Sequence, residues 1–212
     1  MTLITITPDL LKEHPKLVGM TTTQYQQIVE AGIFPSGTPI ELIDGLIIPK
    51  NRAAAGEDLM SIGKRHVNAV NKLMRVNAQL PAGFILQVQQ PVELPPDSEP
   101  EPDGSLLRGG EDDYLDRLAQ PRDAIAVFEV ADSSLQQDRT SKLRVYADAG
   151  IPQYVIVNLV DNVIESYTDP RVGNGRYEKV ERLTASDTLV ILLSPDQPFS
   201  ISAASLLPPN SK

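Results

Sequence analysis

Apolar and polar positions along this chain follow two rhythms. Thr22 to Ala31 reads as a short helix, with Thr22 or Thr23 as its cap and Gly32 ending it. Ile40-Glu41-Leu42-Ile43 and Leu46-Ile47-Ile48 flank Asp44-Gly45. That dipeptide tolerates the left-handed geometry of a two-residue turn, so a β-hairpin is expected. Asn51 to Gly56 is a small-residue loop. Leu59, Ile62, His66, Val70 and Leu73 recur at steps of three and four, forming one stripe of a helix from about Glu57 to Gln79 that Pro81 stops. Gly83 to Leu94 reads as a strand. Pro95 to Asp103 is rich in proline and acid, and residues before proline favour extended backbone. It is expected to be an irregular, exposed lead-in to a short strand at Ser105-Leu106-Leu107.

Arg108 to Arg122 is charged and reads as a loop with a short helical turn. Ala124-Ile125-Ala126-Val127-Phe128-Glu129-Val130 follows, an apolar run of the kind that makes a buried strand. Ser134 with Gln137 three residues on resembles a capping box, which predicts a helix to Ala149 with Gly150 just past its end. Gln153 to Asn158 and Val163 to Thr168 are strands joined near Asp161-Asn162, and Arg176 to Leu183 is another. The tail Leu206-Leu207-Pro208-Pro209 is expected to fray. No repeat and no linker divides the chain, so residues 1–212 are expected to form one domain.

The chemistry enters with Glu129. An ionised carboxylate in an apolar strand is costly unless it is paired or binds a metal. Asp103 lies upstream and Lys142 on the following helix. Two acids and a lysine from neighbouring elements suit a Mg²⁺-dependent phosphodiesterase. Each has a plainer explanation. Pro102-Asp103-Gly104 is also a turn signal, Glu129 could be neutralised by a basic neighbour, and most helix lysines are solvated. Lys142 and Tyr146, four apart, share a helix face. Glu41 is a candidate third metal ligand, or else the solvent-facing member of an alternating strand with Ile40 and Leu42 inside. His66 falls within the apolar stripe, either as a core histidine or as a hydrogen-bond partner of a metal-bound carboxylate. Arg139, Lys142 and Arg144 make a small basic patch that could meet a phosphate backbone, or Arg139 and Arg144 pair with Asp138 or Asp148.

Composition narrows the metal and the partners. There is no cysteine and there are two histidines, His14 and His66, which disfavours zinc and leaves a hard cation on carboxylates, Mg²⁺ or Mn²⁺. A net charge of −9 argues against broad non-specific nucleic-acid binding, while permitting a local basic groove. No apolar run is long enough to span a bilayer, and the N-terminus lacks a signal-peptide layout, so a cytoplasmic location without membrane contact is expected.

Glu129-Val130-Ala131-Asp132-Ser133-Ser134-Leu135, Asp138-Arg139, Lys142-Leu143, Tyr146-Ala147 and Gly150-Ile151-Pro152 with Tyr154 resemble the core signature of the Uma-two family. That family of restriction endonucleases is abundant in cyanobacteria and belongs to the PD-(D/E)XK nuclease superfamily. The likeness runs from about Thr22 to Leu207. It takes in Glu41-Leu42-Ile43-Asp44-Gly45, the helix with His66, and Pro102-Asp103. It implies a restriction-endonuclease-like α/β fold, a central mixed sheet flanked by helices with an added N-terminal hairpin. It implies Asp103 and Glu129 as metal-holding carboxylates with Glu41 contributing. It also implies a nucleic-acid substrate, DNA before RNA, and assembly as a homodimer. The superfamily lysine usually stands two residues after the glutamate, where this chain has Ala131, so Lys142 is expected to supply the ammonium. Asn158 stands where aspartate often ends the strand, and Gly104 where an apolar residue is usual. The competing class is a degenerate nuclease fold kept as a binding or structural module. A hydrolase of a small phosphodiester is a third.

Overall fold

The computed structural model describes residues 18–50 and 63–209. The loop expected at residues 51–56, and Leu59 and Ile62 of the expected stripe, lie outside the described residues. At the centre is β5 (Ala124–Ala131), all eight residues of which are buried. It sits in a six-stranded sheet with β3 (Phe84–Gln87), β4 (Gly104–Arg108), β6 (Gln153–Asn158), β7 (Val163–Arg171) and β8 (Arg176–Leu183), ordered β3-β4-β5-β6-β7-β8. Only β5 and β6 run parallel, because the chain between them crosses over through helix; the other neighbours are antiparallel. This is the expected mixed sheet with helices flanking it.

Both faces of the sheet are covered, which is why β5 reads as a continuous apolar run. Ala126, Phe128 and Val130 face one core, with Ala69, Val70 and Leu73 of α2 (Lys64–Met74). That core also includes Leu189, Ile191 and Leu193 of β9 (Thr188–Ser194). Val127 and Ala131 face the other core, with Val145, Tyr146, Tyr154 and Ile156. Glu129 lies between Val127 and Ala131 in a strand whose side chains alternate, so it shares their face.

The first hairpin forms as expected. β1 (Ile40–Ile43) and β2 (Leu46–Pro49) are joined by Asp44 at φ 51° and Gly45 at φ 74°. A Cβ on Gly45 would lie 2.7 Å from the Gly19 Cα, so the turn needs glycine for close approach as well as for φ. The preceding helix, α1 (Thr22–Glu30), is capped one residue earlier than expected. Thr21 accepts from the Gln24 N–H while the Gln24 side chain accepts from the Thr21 N–H.

Three expectations are corrected, and one hairpin is added. Residues 95–103 are not an exposed lead-in: Ser98 and Glu99 are buried, and Glu99 exchanges backbone hydrogen bonds with Leu42 of the hairpin. The segment is polar because it closes on polar partners, not because it faces water. The tail does not fray: Leu206 and Leu207 are buried in the α2 core, and the Lys72 ammonium donates to the Ala204 and Leu207 carbonyls. β10 (Gln197–Ser202) pairs with β9 in a hairpin whose alternation of Leu189, Ile191 and Leu193 was there to be read. The capping box at Ser134 does not form: Ser134 is itself in helical conformation and its hydroxyl donates to Asp138. The helix there is interrupted. α3 (Leu135–Gln137) runs into a wide turn at Asp138–Lys142, where the Leu143 N–H reaches the Asp138 carbonyl five residues back, and then into α4 (Leu143–Asp148).

Candidate active site

The β4–β5 register pairs Gly104 with Phe128. Carried one residue further, it sets Asp103 opposite Glu129. Asp103 enters with its Oδ2 accepting from the Val130 N–H at 2.8 Å and lying 3.3 Å from His66 Nε2. Burial opposes its charge, but the His66 hydrogen bond and charge and the Val130 N–H outweigh it, so its pKa falls below the ordinary aspartate value. For His66 the same contact works in reverse. Burial would lower its pKa, and Asp103 raises it on balance.

Glu129, 4% exposed, is held from the helical side. Lys142 Nζ donates to its Oε1 at 2.9 Å and the Tyr146 hydroxyl donates to the same oxygen at 3.0 Å. Lys142 Nζ is also 3.4 Å from Glu41 Oε2, and Glu41 is 1% exposed. The solvent-face explanation of Glu41 therefore fails: β1 is buried throughout its length. Burial pushes the Glu129 carboxyl well above the usual glutamate range despite Lys142, and the charges of Asp138, Asp103 and Glu41 push the same way. Lys142 keeps its proton: burial would lower its pKa, but Glu129, Glu41 and Asp138 together raise it above the ordinary lysine value. Four of the predicted residues, Asp103, Glu129, Glu41 and Lys142, thus meet in one place. His66 and Tyr146 each touch one of the two central carboxylates.

The wide turn explains how. Glu129 pairs in register with Ile156, and Ile156 with Glu165, so the two acids flank Ile156 on one face. The turn lays Lys142 on Glu129 and Arg139 on Glu165. Arg139 Nε donates to Glu165 at 3.0 Å, and a second guanidinium nitrogen completes a bidentate pair. Glu165 also accepts from Asn158 and Tyr167, and its pKa falls to about 2, because these bonds outweigh burial. Arg139 therefore pairs with Glu165, with Asp161 at 3.5 Å, and not with Asp138. Arg144 pairs with Asp44 on the hairpin and lies 3.9 Å from Asp148.

The departures from the family signature have physical causes. Asn158 donates to both Asp161 and Glu165, which an aspartate could not do. A Cβ on Gly104 would come within 2.8 Å of Leu73, so glycine lets α2 sit close to the sheet. Ala131 is fully buried in the apolar core with Val127, Val145 and Ile156, where a lysine ammonium would be desolvated.

Sequence reading missed Asp138. It is 2% exposed, its carboxylate accepts from Ser134, and burial raises its pKa to about 6. Its spacing of four from Lys142 was visible; that both would turn inward was not. It also missed Ser105, whose buried hydroxyl finds no hydrogen-bond partner among the described residues. Glu99, 7% exposed, is lifted by burial and by Glu93 to about 7, against the Gln26 hydrogen bond.

These shifts set a pH dependence. Asp138 and Glu99 bind a proton more readily folded than unfolded, so each weakens the fold as pH rises from about 4 through its folded value. For Asp138 the rise from the ordinary aspartate value to about 6 corresponds to about 3 kcal/mol. His66 acts in the same direction, since the stability from its raised pKa is lost as pH rises through it. Glu165 and Asp103, with lowered values, cost stability only as pH falls below about 4. The urea midpoint should therefore be higher at pH 5 than at pH 8. A higher midpoint at pH 8 would contradict the assigned burial of Asp138 and Glu99.

Among the described residues, no three histidine, aspartate or glutamate side chains are spaced as a preformed metal centre. The donor set nonetheless suits a hard cation: Glu41, Asp103, Glu129 and Asp138 are all carboxylates, all close enough to act on Lys142 or Glu129, with one ammonium among them. Among the described residues no helix is long and apolar enough to cross a membrane.

Comparisons with known proteins agree with this fold. A family model, Uma2, described as "Putative restriction endonuclease", matches residues 22–202. A crystal structure of a "putative nuclease belonging to DUF820" from Anabaena variabilis ATCC 29413 superposes with a TM-score of 0.61 at 14% identity, covering 88% of this chain and 97% of that one. At that identity the likeness speaks for the fold. No curated protein matches the chain.

Proposed function

The chain belongs to the Uma2 family, and from that premise we propose that it is a divalent-metal-dependent endonuclease hydrolysing phosphodiester bonds of nucleic acid, DNA in preference. The observation that carries this reading is the buried meeting of Lys142 with Glu129 and Glu41, beside the Asp103–His66 pair. Asp103 and Glu129, with Glu41, would hold the ion. When bound, Mg²⁺ or Mn²⁺ polarises a phosphate oxygen and makes a bound water more acidic. The chain's own groups do the rest. His66 and the Val130 N–H fix the Asp103 carboxylate, and Tyr146 fixes that of Glu129. The Lys142 ammonium neutralises charge that builds on the phosphate in the transition state.

Arg144 and Asp44 are both about two-fifths exposed at the side chain, so a phosphate of the substrate backbone can compete for Arg144. Arg139 is held by Glu165 and serves to orient the helix that carries Lys142. We read residues 1–212 as one such nuclease unit, acting as a homodimer, one copy for each strand of a duplex.

The test is incubation of the purified protein with supercoiled plasmid and Mg²⁺ or Mn²⁺, beside an EDTA control. Nicked and linear forms should appear with metal and be absent with EDTA. If neither metal yields cleavage, the fold serves as a binding or structural module.

A further inference from the structure

The Lys142 ammonium lies between Glu129 and Glu41, two of the carboxylates assigned above to the metal. Its Nζ is 2.9 Å from Glu129 Oε1 and 3.4 Å from Glu41 Oε2. The residue is 7% exposed, so this is a buried contact and not a surface pairing. The same two oxygens take a further donor each: Glu41 Oε2 accepts from the Glu101 N–H at 3.2 Å, and Glu129 Oε1 from Tyr146. A hard cation and an ammonium seek the same carboxylate oxygens. Two positive charges in contact within a poorly solvated site repel strongly. We propose that Lys142 is the resident counter-ion of this site, and that a divalent ion binds the Glu41–Glu129 pair only by displacing its ammonium.

The wide turn makes the exchange feasible. It keeps Asp138 buried within the same element, and Asp138 and Lys142 already attract each other. A displaced ammonium on its flexible four-carbon stem thus moves toward a second acid and not into apolar core. The site is then metal-free with the lysine on Glu129 and Glu41, and metal-loaded with the lysine drawn toward Asp138. This deepens the nuclease reading and rests on it for the role of the ion. The competition itself is a statement about binding.

The test is Mn²⁺ affinity, measured by calorimetry and by the electron paramagnetic resonance signal of free Mn²⁺, for the full chain and for Lys142→Met and Lys142→Gln. Removing the ammonium should tighten Mn²⁺ binding at least tenfold. Unchanged or weaker affinity in both variants overturns the proposal, as does failure of every form, wild type included, to bind Mn²⁺. Should neither variant fold, the wild type still decides. Reductive methylation followed by mass spectrometry should modify Lys142 slowly without metal and faster with Mn²⁺; equal rates overturn the proposal. Plasmid cleavage is scored separately. A protein that shows the competition but cuts nothing loses the nuclease reading alone, and one that cuts but shows no competition loses this proposal alone.

Discussion

Lys142→Met should lower stability at pH 8, without metal, by about 3–5 kcal/mol, the usual cost of breaking a buried ion pair by removing one partner. The reason lies in what is left behind. Glu129 and Glu41 would remain buried beside each other with no cation between them, and Glu129 keeps only the Tyr146 hydrogen bond at Oε1. Three measurements separate this from a simple packing loss. The deficit should shrink on acidification to about pH 5, where protonation relieves the repulsion. It should shrink when Mn²⁺ is added, because an ion that binds only the native state stabilises it. In the double variant with Glu129→Gln the loss should be less than the sum of the single losses, since the two residues are in contact. Urea denaturation gives all three. A Lys142→Met protein as stable as wild type would mean that the pair does not hold the fold.

Glu129→Gln should cost on the order of 10²–10³ in the rate of plasmid nicking while leaving far-UV circular dichroism unchanged, a loss comparable with removing one positioned electrostatic group from an active site. The substitution keeps shape. A carboxamide oxygen still accepts from Lys142 and Tyr146, so the helix stays docked, and the neutral group no longer bears the burial cost that lifts the Glu129 pKa. What is lost is the charge that would hold the metal. Asp103→Asn should fall similarly in rate but with a stability loss, because Asp103 is the anchor of His66. Nicking by Glu129→Gln at the wild-type rate would remove Glu129 from the reaction.

The strands were legible because each carries its own evidence. The apolar run of β5 announced burial on both faces, and Asp44-Gly45 announced a turn whose geometry few other residues allow. Glu129 was legible for the same reason, as an acid in a run that gave it no water. Other features are set by contacts far apart in sequence. Nothing local in Ile40-Glu41-Leu42 says that the 95–99 segment will cover the hairpin, so alternation wrongly suggested a wet face for Glu41. Arg139 had acids close by on its own helix, and the one it chose lies 26 residues on, across a strand. The wide turn left no periodic trace, because one turn of altered hydrogen bonding within a short helix leaves the apolar spacing almost intact. The β9–β10 hairpin is the contrary case, with an ordinary alternating pattern that went unread.

The wide turn carries a further implication for how this chain tolerates length changes. A five-residue hydrogen-bonded loop inside a helix is what remains when one residue is inserted into an ordinary α-helix and the structure absorbs it locally. Excising a single residue between Asp138 and Lys142 would restore standard winding. It would also rotate everything upstream by about 100° against everything downstream, the angle of one residue at 3.6 per turn. Arg139 and Lys142 could then no longer rest on Glu165 and Glu129 while Val145 and Tyr146 stay in their core. The segment should accept many substitutions at its solvent-facing Gln136 and Thr140 yet no indel, so its length is a stricter inheritance than its composition.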